Sequence, residues 1–381
     1  MIMQLATTRP TIQSVRVTLG EGNTPLVRSR WIGPHLGLDD LYFKLEQTNP
    51  TGSYKDRFAA ELVSRLALQG HRVCLGTSSG NTGAALAAYA AAAGVACVLC
   101  VPADAPEAKL TQIRAYGARI VRVTGMVASP QALRQTLSRL SAIARQRGLP
   151  LGISAYALAP EGMAGVEPLS AEIVAALGVA PDHVYCPVGG GGLLTATWRG
   201  FLAISASSGS PIDERAALPR LHAVQSDAND TVVSALDAGE RRAREVSTVT
   251  RISGLGVPVD LDATASLEAT RESGGRGYLV DDELVWQIQS LLARHEGLYV
   301  EPAGAVSVAG LWHAARQGHV RSGETAVCLL TGHGFKDEAA AQRLAQIKGP
   351  DLILEPSDLD ETLLDGVEPK TLEVAPTSPL R

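Results

Sequence analysis

Aromatic residues are scarce in this chain, which has 4 Phe, 4 Trp and 8 Tyr among 381 residues. Proteins that bind single-stranded nucleic acid stack bases on aromatic side chains, so this scarcity argues against that class. The net charge is −5, from 34 Lys and Arg against 39 Asp and Glu, and it offers no basic footprint for nucleic acid or an anionic membrane. We therefore expect neither nucleic acid nor a membrane as a partner.

Cysteine is also scarce, and the five cysteines lie mostly within apolar runs. Cys97 and Cys100 have the spacing of a metal or redox motif, but no second pair follows, and burial in a strand explains both thiols. The N-terminal residues lack the apolar core of a signal peptide, and Gly94 interrupts the longest apolar stretch. We expect reduced cysteines, no metal site and a cytoplasmic location.

Short β-branched runs alternate with helical patterns along the chain, and this alternation predicts βαβ units with mainly parallel sheets covered by helices. At this length we expect two domains, or one large one. The candidate strands are Leu41–Leu45, Arg72–Leu75, Ala96–Val101, Arg119–Val123, His183–Val188, Arg220–Val224 and Thr325–Leu330. The candidate helices are Asp56–Gln69, Ala84–Ala93, Ala108–Tyr116, Pro130–Arg147, Gly165–Leu177 and Asp281–His295.

Lys55 follows the turn Asn49-Pro50-Thr51-Gly52 and lies in the first turn of a predicted helix. The positive end of the helix dipole disfavours an ammonium group there, which lowers the pKa of the lysine. An isolated lysine is most simply a solvated surface residue, but the position of Lys55 at a helix start favours a reactive lysine. A lysine with a lowered pKa is the group that Schiff-base formation requires.

Two further segments place glycine and small polar residues between a strand and a helix. Thr77–Gly83 offers hydroxyls, an amide and backbone N–H groups at a helix start, where a carboxylate or phosphate binds well. Val188–Thr195 contains four consecutive glycines, whose N–H groups can converge on a phosphate. That run lacks both the dinucleotide pattern and the lysine of a P-loop, so we interpret it as a phosphate cup.

A fourth polar segment, Leu329–Asp337, follows another apolar strand, and its Thr331 offers a neutral hydroxyl. Ligands of open α/β sheets bind beyond the carboxyl ends of the strands, so the four segments predict one composite site. A lysine, a carboxylate cradle, a phosphate cup and a polar residue at a strand end indicate an amino-acid enzyme that uses pyridoxal phosphate.

These segments resemble, in order and spacing, those of fold-type II pyridoxal-phosphate-dependent enzymes, the tryptophan synthase β superfamily. The segments that carry the resemblance are EGNTPL at 21–26, NPTGSYKDR at 49–57, SSGNTG at 78–83, EPAGA at 301–305 and LTGHGFKD at 330–337. Within this superfamily the chain is most similar to threonine synthases. Its glycine run resembles instead that of dehydratases and serine racemase.

The resemblance implies pyridoxal 5'-phosphate as the cofactor and assigns roles to individual residues. Lys55 is then the catalytic residue, which carries the cofactor and moves protons. The cofactor-binding residues are Lys55, Asn81, Gly189, Gly190, Gly191, Gly192, Thr195 and Thr331. The substrate-binding residues are Ser78, Ser79, Thr82, Arg57 and Lys109.

The same resemblance predicts two three-layer α/β domains with mainly parallel twisted sheets and the cofactor in the interdomain cleft. A smaller mobile domain covers 57–150, a larger cofactor-binding domain combines 1–56 with 151–345, and a C-terminal tail covers 346–381. A homodimer with a small-molecule amino-acid substrate is expected.

The expected reaction converts O-phospho-homoserine and water to threonine and phosphate. The alternative is β-replacement or β-elimination on serine, threonine or an O-activated serine, as in cysteine or cysteate synthases and ammonia-lyases. A third possibility is a regulator that binds the cofactor without catalysis.

Overall fold

A computed structural model describes residues 16–207 and 218–345, together with residue 356. The described residues form two compact units. The first unit contains residues 16–21 and Lys55–Val166, and the second contains Gly22–Tyr54 and the described residues from Glu167 onward. The predicted C-terminal tail over 346–381 lies, apart from residue 356, outside the described residues.

Strands and helices alternate through both units and are numbered here in chain order. The strands are β1 (Leu26–Arg28), β2 (Leu41–Lys44), β3 (Val73–Thr77), β4 (Ala96–Pro102), β5 (Arg119–Val123), β6 (Leu151–Gly152), β7 (His183–Pro187), β8 (Arg220–Ser226), β9 (Gly277–Val280) and β10 (Ala326–Leu329). The helices are α1 (Ile32–His35), α2 (Lys55–Leu68), α3 (Asn81–Ala92), α4 (Glu107–Ala115), α5 (Pro130–Gln146), α6 (Pro160–Ala164), α7 (Pro168–Leu177), α8 (Gly192–Ser207), α9 (Val233–Asp237), α10 (Ala263–Glu272), α11 (Asp282–Leu291), α12 (Pro302–Arg316) and α13 (Glu338–Ala345).

The first unit is built on a four-stranded sheet of order β5-β4-β3-β6, in which every neighbouring pair is parallel. Glycine lets its helices approach closely. A Cβ on Gly162 in α6 would lie 2.7 Å from the ring of Phe58 in α2. Because β6 pairs with β3 and α6 packs on α2, residues 151–166 belong to this unit, although the sequence analysis assigned them to the larger domain.

The second unit contains a six-stranded sheet of order β1-β2-β10-β7-β8-β9. Only β1 runs antiparallel to its neighbour; the other neighbouring pairs are parallel. The prediction of an α/β protein with mainly parallel sheets is therefore confirmed. Cys328 in β10 pairs with Tyr185 in β7. Thr331 lies three residues after Cys328, and Val188 lies three residues after Tyr185. Because the two strands are parallel, both residues lie at the carboxyl-end edge of the sheet.

All five cysteines are buried free thiols. Cys97 and Cys100 lie in β4 an odd number of residues apart, so their side chains point to opposite faces of the sheet. They therefore cannot share a metal ion, which agrees with their interpretation as strand residues. Within residues 16–207 and 218–345, no cluster of three or more His, Cys, Asp or Glu could hold a metal, and no helix is long and apolar enough to cross a membrane.

Two buried histidines of the second unit form a hydrogen-bonded chain. The backbone N–H of Arg276 donates to Nδ1 of His222 at 3.0 Å, so His222 carries its proton on Nε2. Nε2 then donates to Nδ1 of His183 at 2.8 Å, and Nε2 of His183 lies 3.2 Å from Glu324. Both rings are therefore neutral. Burial lowers the pKa of each histidine below its ordinary value.

We expect the free energy of unfolding to decrease as the pH falls below about 6.5, the ordinary pKa of histidine. The pKa of His222 is lower in the folded chain than in the unfolded chain, so the unfolded chain takes up the proton first. Each such histidine contributes a loss of up to about 1.4 kcal/mol per pH unit over this range. Denaturant unfolding at about pH 7.5 and about pH 5.5 measures the change.

His222→Gln is the matched control for this pH dependence. Glutamine keeps an acceptor for Arg276 and a donor for His183 but does not titrate. The variant should therefore show a smaller loss of stability on acidification. An unchanged pH dependence would show that His222 is not one of the groups responsible.

Candidate active site

The peptide that leads to Lys55 is bonded to the carboxyl end of β10. Ser53 and Gly332 form an isolated antiparallel bridge. The N–H of Tyr54 donates to the carbonyl of Thr331 at 3.1 Å, and the N–H of His333 donates to the carbonyl of Gly52 at 2.9 Å. These bonds bring together two of the predicted motifs, and the chain enters α2 at Lys55 directly after them.

A buried carboxylate secures the turn that precedes this bridge. Glu46 accepts a hydrogen bond from the hydroxyl of Thr24 at 2.6 Å and one from the side-chain amide of Asn49 at 3.0 Å. The amide oxygen of Asn49 accepts the N–H of Gly22 at 3.0 Å. The EGNTPL segment at 21–26 is therefore hydrogen-bonded to the turn that precedes Lys55.

In the first unit, Lys55 lies at one end of a chain of hydroxyls. Its Nζ donates to Oγ of Ser154 at 2.7 Å, and that Oγ lies 3.0 Å from Oγ1 of Thr82. Ser154 follows β6, which pairs with β3, and β3 leads into the loop that carries Thr82. The sequence analysis missed Ser154 because β6 has only two residues and no recognisable strand pattern.

The loop between β3 and α3 and the first turn of α3 present backbone donors to an anion. The N–H groups of Ser79, Thr82 and Gly83 form no hydrogen bond with a described residue, and Asn81 begins the helix. Unbonded N–H groups at the start of a helix attract negative charge. A Cβ on Gly83 would lie 2.2 Å from the carbonyl oxygen of Ser78, so glycine is required for this path.

The other predicted substrate residues of the first unit lie on two helices. Arg57 is buried in the first turn of α2, and Lys109 is half-buried in the first turn of α4. Both side chains have interaction partners among the described residues. The hydroxyl of Ser78 accepts the N–H of Gly80 at 3.1 Å and so shapes its own loop.

The glycine run of the second unit contains a series of buried, unbonded donors. The backbone N–H groups of residues 189–194 form no hydrogen bond with any described residue, and most of these residues are buried. Buried N–H groups nearly always have partners, so such a series indicates a bound anion. Residues 192–194 belong to the first turn of α8, whose N–H groups have no partner within the helix. The phosphate cup stays a prediction, which this row of donors suits.

Close packing determines which residues this loop tolerates. Gly191 has a φ of +94°, and a Cβ there would lie 2.3 Å from the carbonyl oxygen of Asp262. Thr195 was predicted as a further phosphate ligand. Its hydroxyl donates to the carbonyl of Gly191 at 3.0 Å, so the hydroxyl proton is already used within the loop.

Thr331 lies beside a buried carboxylate at the end of β10. It is 5% exposed, and its hydroxyl forms no hydrogen bond with a described residue. A Cβ on Gly332 would lie 2.0 Å from the carboxylate of Glu301, so glycine allows Glu301 to reach this edge. Burial raises the pKa of the Tyr54 phenol, and the charge of Glu301 raises it further, so this group stays protonated.

Two orphaned polar atoms lie next to the same strand end. Oε1 of Gln47 and Oγ of Ser53 are buried without a hydrogen-bond partner. The backbone of Gln47 bonds to Leu330, and Ser53 bridges to Gly332. Buried polar atoms without partners are rare and indicate a missing ligand or water. Together with the unbonded N–H groups, these residues fit a phosphorylated, polar cofactor.

Comparison with known proteins agrees with this chemistry. A sequence model of the family described as pyridoxal-phosphate dependent enzyme matches residues 17–332. The chain belongs to this family of pyridoxal-phosphate-dependent enzymes and uses that cofactor. The chain is also similar to the threonine synthase of Methanocaldococcus jannaschii, at 35% identity over 88% of this chain and 80% of that protein.

Solved structures show the same fold. Maize serine racemase superposes with a TM-score of 0.68 at 22% identity, over 84% of this chain and 91% of that one. The T.th. threonine deaminase gives a TM-score of 0.63 at 27% identity, over 82% of this chain and 92% of that one. The expectation of a fold-type II enzyme related to threonine synthases is confirmed.

Gly191→Ala should destabilise the second unit and abolish tight cofactor binding. The methyl group would collide with the Asp262 carbonyl at a positive φ, a clash that costs about 1–3 kcal/mol. Gly190→Ala is the matched control for stability, because its Cβ would meet only Val257 at an ordinary 3.5 Å. Thermal unfolding without cofactor, followed by titration with pyridoxal phosphate, compares the two. Equal stability of the two variants would contradict the packing argument.

Proposed function

We propose that this enzyme is a lyase of threonine synthase type, which converts O-phospho-homoserine and water to threonine and phosphate. The observation that carries the proposal is the hydroxyl chain from Lys55 through Ser154 to Thr82, which ends at a row of unbonded N–H groups. A basic amine beside a carboxylate cradle is the arrangement that proton transfer at an amino-acid Cα requires. The similarity to threonine synthases supports this reaction.

The predicted cofactor-binding residues would each hold a different part of the cofactor. The N–H groups of Gly189 to Gly192 would hold its phosphate, and the Lys55 amine would anchor it. Asn81 would donate to its phenolic oxygen, and the Thr331 hydroxyl would serve its ring nitrogen. When bound, pyridoxal phosphate withdraws electrons from the substrate carbons next to the amino group. Thr331 would offer that ring nitrogen a neutral hydroxyl, which would leave it largely unprotonated and favour elimination and replacement.

The residues of the first unit would position and deprotonate the substrate. The N–H groups of Ser79, Thr82 and Gly83 bind its carboxylate, and the hydroxyl of Ser78 adds a further polar contact. Lys55 removes the proton from Cα and then one from Cβ. Arg57 and Lys109 bind the substrate phosphate, which leaves from Cγ. The two protons that Lys55 took up return to Cγ and Cα, and water adds its hydroxyl at Cβ while its other proton ends on the released phosphate. Ser154 holds the Lys55 amine in place for these transfers.

A second candidate is β-elimination or β-replacement on serine, threonine or an O-activated serine. The glycine run and the similarity to a threonine deaminase at 27% identity favour it. The leaving group distinguishes the two candidates: the first reaction releases phosphate and threonine, and β-elimination releases a keto acid and ammonia.

Incubation of the purified enzyme with O-phospho-homoserine should release phosphate and threonine in equal amounts. Lys55→Ala should reduce the rate by about 10²–10⁴-fold or more, because proton transfer then lacks its base. Phosphate and threonine are measured on the same samples. If neither forms while serine or threonine yields a keto acid, the second candidate replaces the first. If no amino acid changes the visible absorbance of the bound cofactor, a regulatory role is favoured.

Ser154→Ala should lower kcat about 10–100-fold with little change in KM, because Lys55 loses the acceptor that orients its amine. The pH profile of kcat should also shift, since that hydrogen bond no longer acts on the amine. Ser154→Thr keeps the hydroxyl and should restore most of the rate. Equal activity of the alanine and threonine variants would contradict a positioning role for Ser154.

We also propose that the enzyme is a cytoplasmic homodimer. Five buried free thiols suit a reducing compartment, and the dimer follows from the family resemblance. Light scattering of the cofactor-loaded enzyme would test the dimer, and a monomer mass would refute it.

A further inference from the structure

The second unit contains a polar cavity that shares no residue with the proposed active site. It has a volume of about 590 Å³ and lies at the amino end of β9, among the last turns of α9, α10 and α12. The residues that line it and that matter here are Asp237, Arg271, Arg276, Tyr278, Gln317 and His319. Pockets for small molecules have volumes of this order.

Two opposite charges line this cavity without pairing. The guanidinium of Arg276 and the carboxylate of Asp237 form no hydrogen bond or ion pair with each other or with any described residue. The amide of Gln317 is likewise unbonded within the described part of the chain. By contrast, Arg271 donates to the carbonyl of Glu240 at 2.5 Å, and the hydroxyl of Tyr278 lies 3.2 Å from Nδ1 of His319.

The backbone around Arg276 is held in one path by close packing. A Cβ on Gly275 would lie 1.7 Å from the carbonyl oxygen of Leu221, and one on Gly277 would lie 2.7 Å from Val233. The N–H of Arg276 itself donates to His222. The main chain at Arg276 is therefore fixed by its two glycine neighbours, whereas its side chain is exposed to solvent, where a ligand can reach it.

We propose that this cavity is a second binding site, which takes a free polar α-amino acid. Arg276 binds the carboxylate in a two-pronged hydrogen bond, and Asp237 binds the ammonium group. Gln317 and the neighbouring polar groups bind the side chain, directly or through water, since the cavity is larger than a single amino acid. Arg276 and Asp237 are both exposed to solvent, so a ligand with both charges replaces water at both groups, whereas a ligand with one charge replaces water at only one of them.

Calorimetric titration of the cofactor-loaded enzyme with L-asparagine and L-glutamine tests the proposal. Neither probe carries a leaving group at Cβ, so turnover does not mask binding. Visible absorbance is recorded in parallel, because binding at the cofactor changes it and binding in the cavity does not. We expect at least one probe to give a saturable heat without an absorbance change. Glutaramate, which lacks the ammonium group, should bind at least ten-fold more weakly than L-glutamine if L-glutamine is the ligand.

Arg276→Gln and Asp237→Asn should each weaken, at least ten-fold, the binding that gives heat without an absorbance change, called silent binding below. Arg241→Gln, which removes an exposed charge outside the cavity, should bind like the wild type. Thermal unfolding confirms that each variant is folded, and Asp237→Asn preserves the test if Arg276→Gln is unstable. The proposal is overturned if neither probe gives a silent heat, or if both cavity variants bind as tightly as the wild type. Activity on O-phospho-homoserine is measured separately. The outcome of the binding test therefore does not depend on whether the proposed reaction is correct.

Discussion

The short pairing of Gly52–Tyr54 with Thr331–His333 is the constraint on which the rest of this active site depends. It joins a turn near the start of the chain to a strand end almost three hundred residues later. The lysine that follows Tyr54 has no freedom to begin its helix elsewhere, because the turn is also bonded to the buried Glu46. The Glu301 carboxylate lies at the same end of β10, in space that a side chain on residue 332 would occupy. The peptide before Lys55 and the segment of Glu301 therefore both depend on three residues at the end of one strand, Thr331, Gly332 and His333.

Electrostatics in both units rests on backbone groups more than on charged side chains. The glycine run and the loop before α3 each leave consecutive N–H groups without a protein acceptor. An anion held this way is desolvated and oriented without long, flexible side chains, whose ordering costs entropy. These N–H groups present positive charge to an anion locally, although the net charge of the chain is −5. This use of backbone groups also explains why glycine is abundant at strand ends, where a Cβ would meet neighbouring carbonyl oxygens.

The residues that local patterns could not reveal are those placed by neighbouring strands. Ser154 contacts Lys55 because two residues of β6 pair with β3, and a pairing this short has no recognisable sequence period. The short strand β1 was missed for the same reason. Thr195 is a residue for which the sequence pattern proposed one role and the structure shows a different bond. Its position suggested a phosphate ligand, whereas its hydroxyl donates to the carbonyl of Gly191. The cavity beside Arg276 is also invisible in sequence, since its lining comes from four separate elements.

The sequence by itself determined the α/β alternation, the mainly parallel sheets, the lysine at a helix start and the two loops of glycine and small polar residues between a strand and a helix. These features are local: hydrophobic periodicity, turn residues and glycine runs act over a few neighbouring positions. Only the tertiary structure decided which loops adjoin, which hydroxyl meets the lysine and which charges remain unpaired. Those outcomes depend on strand order and register, and these arise from packing between segments far apart in the chain. The boundary of the first unit at Val166 illustrates this, because it follows from the pairing of β6 and the fit of Gly162 against Phe58.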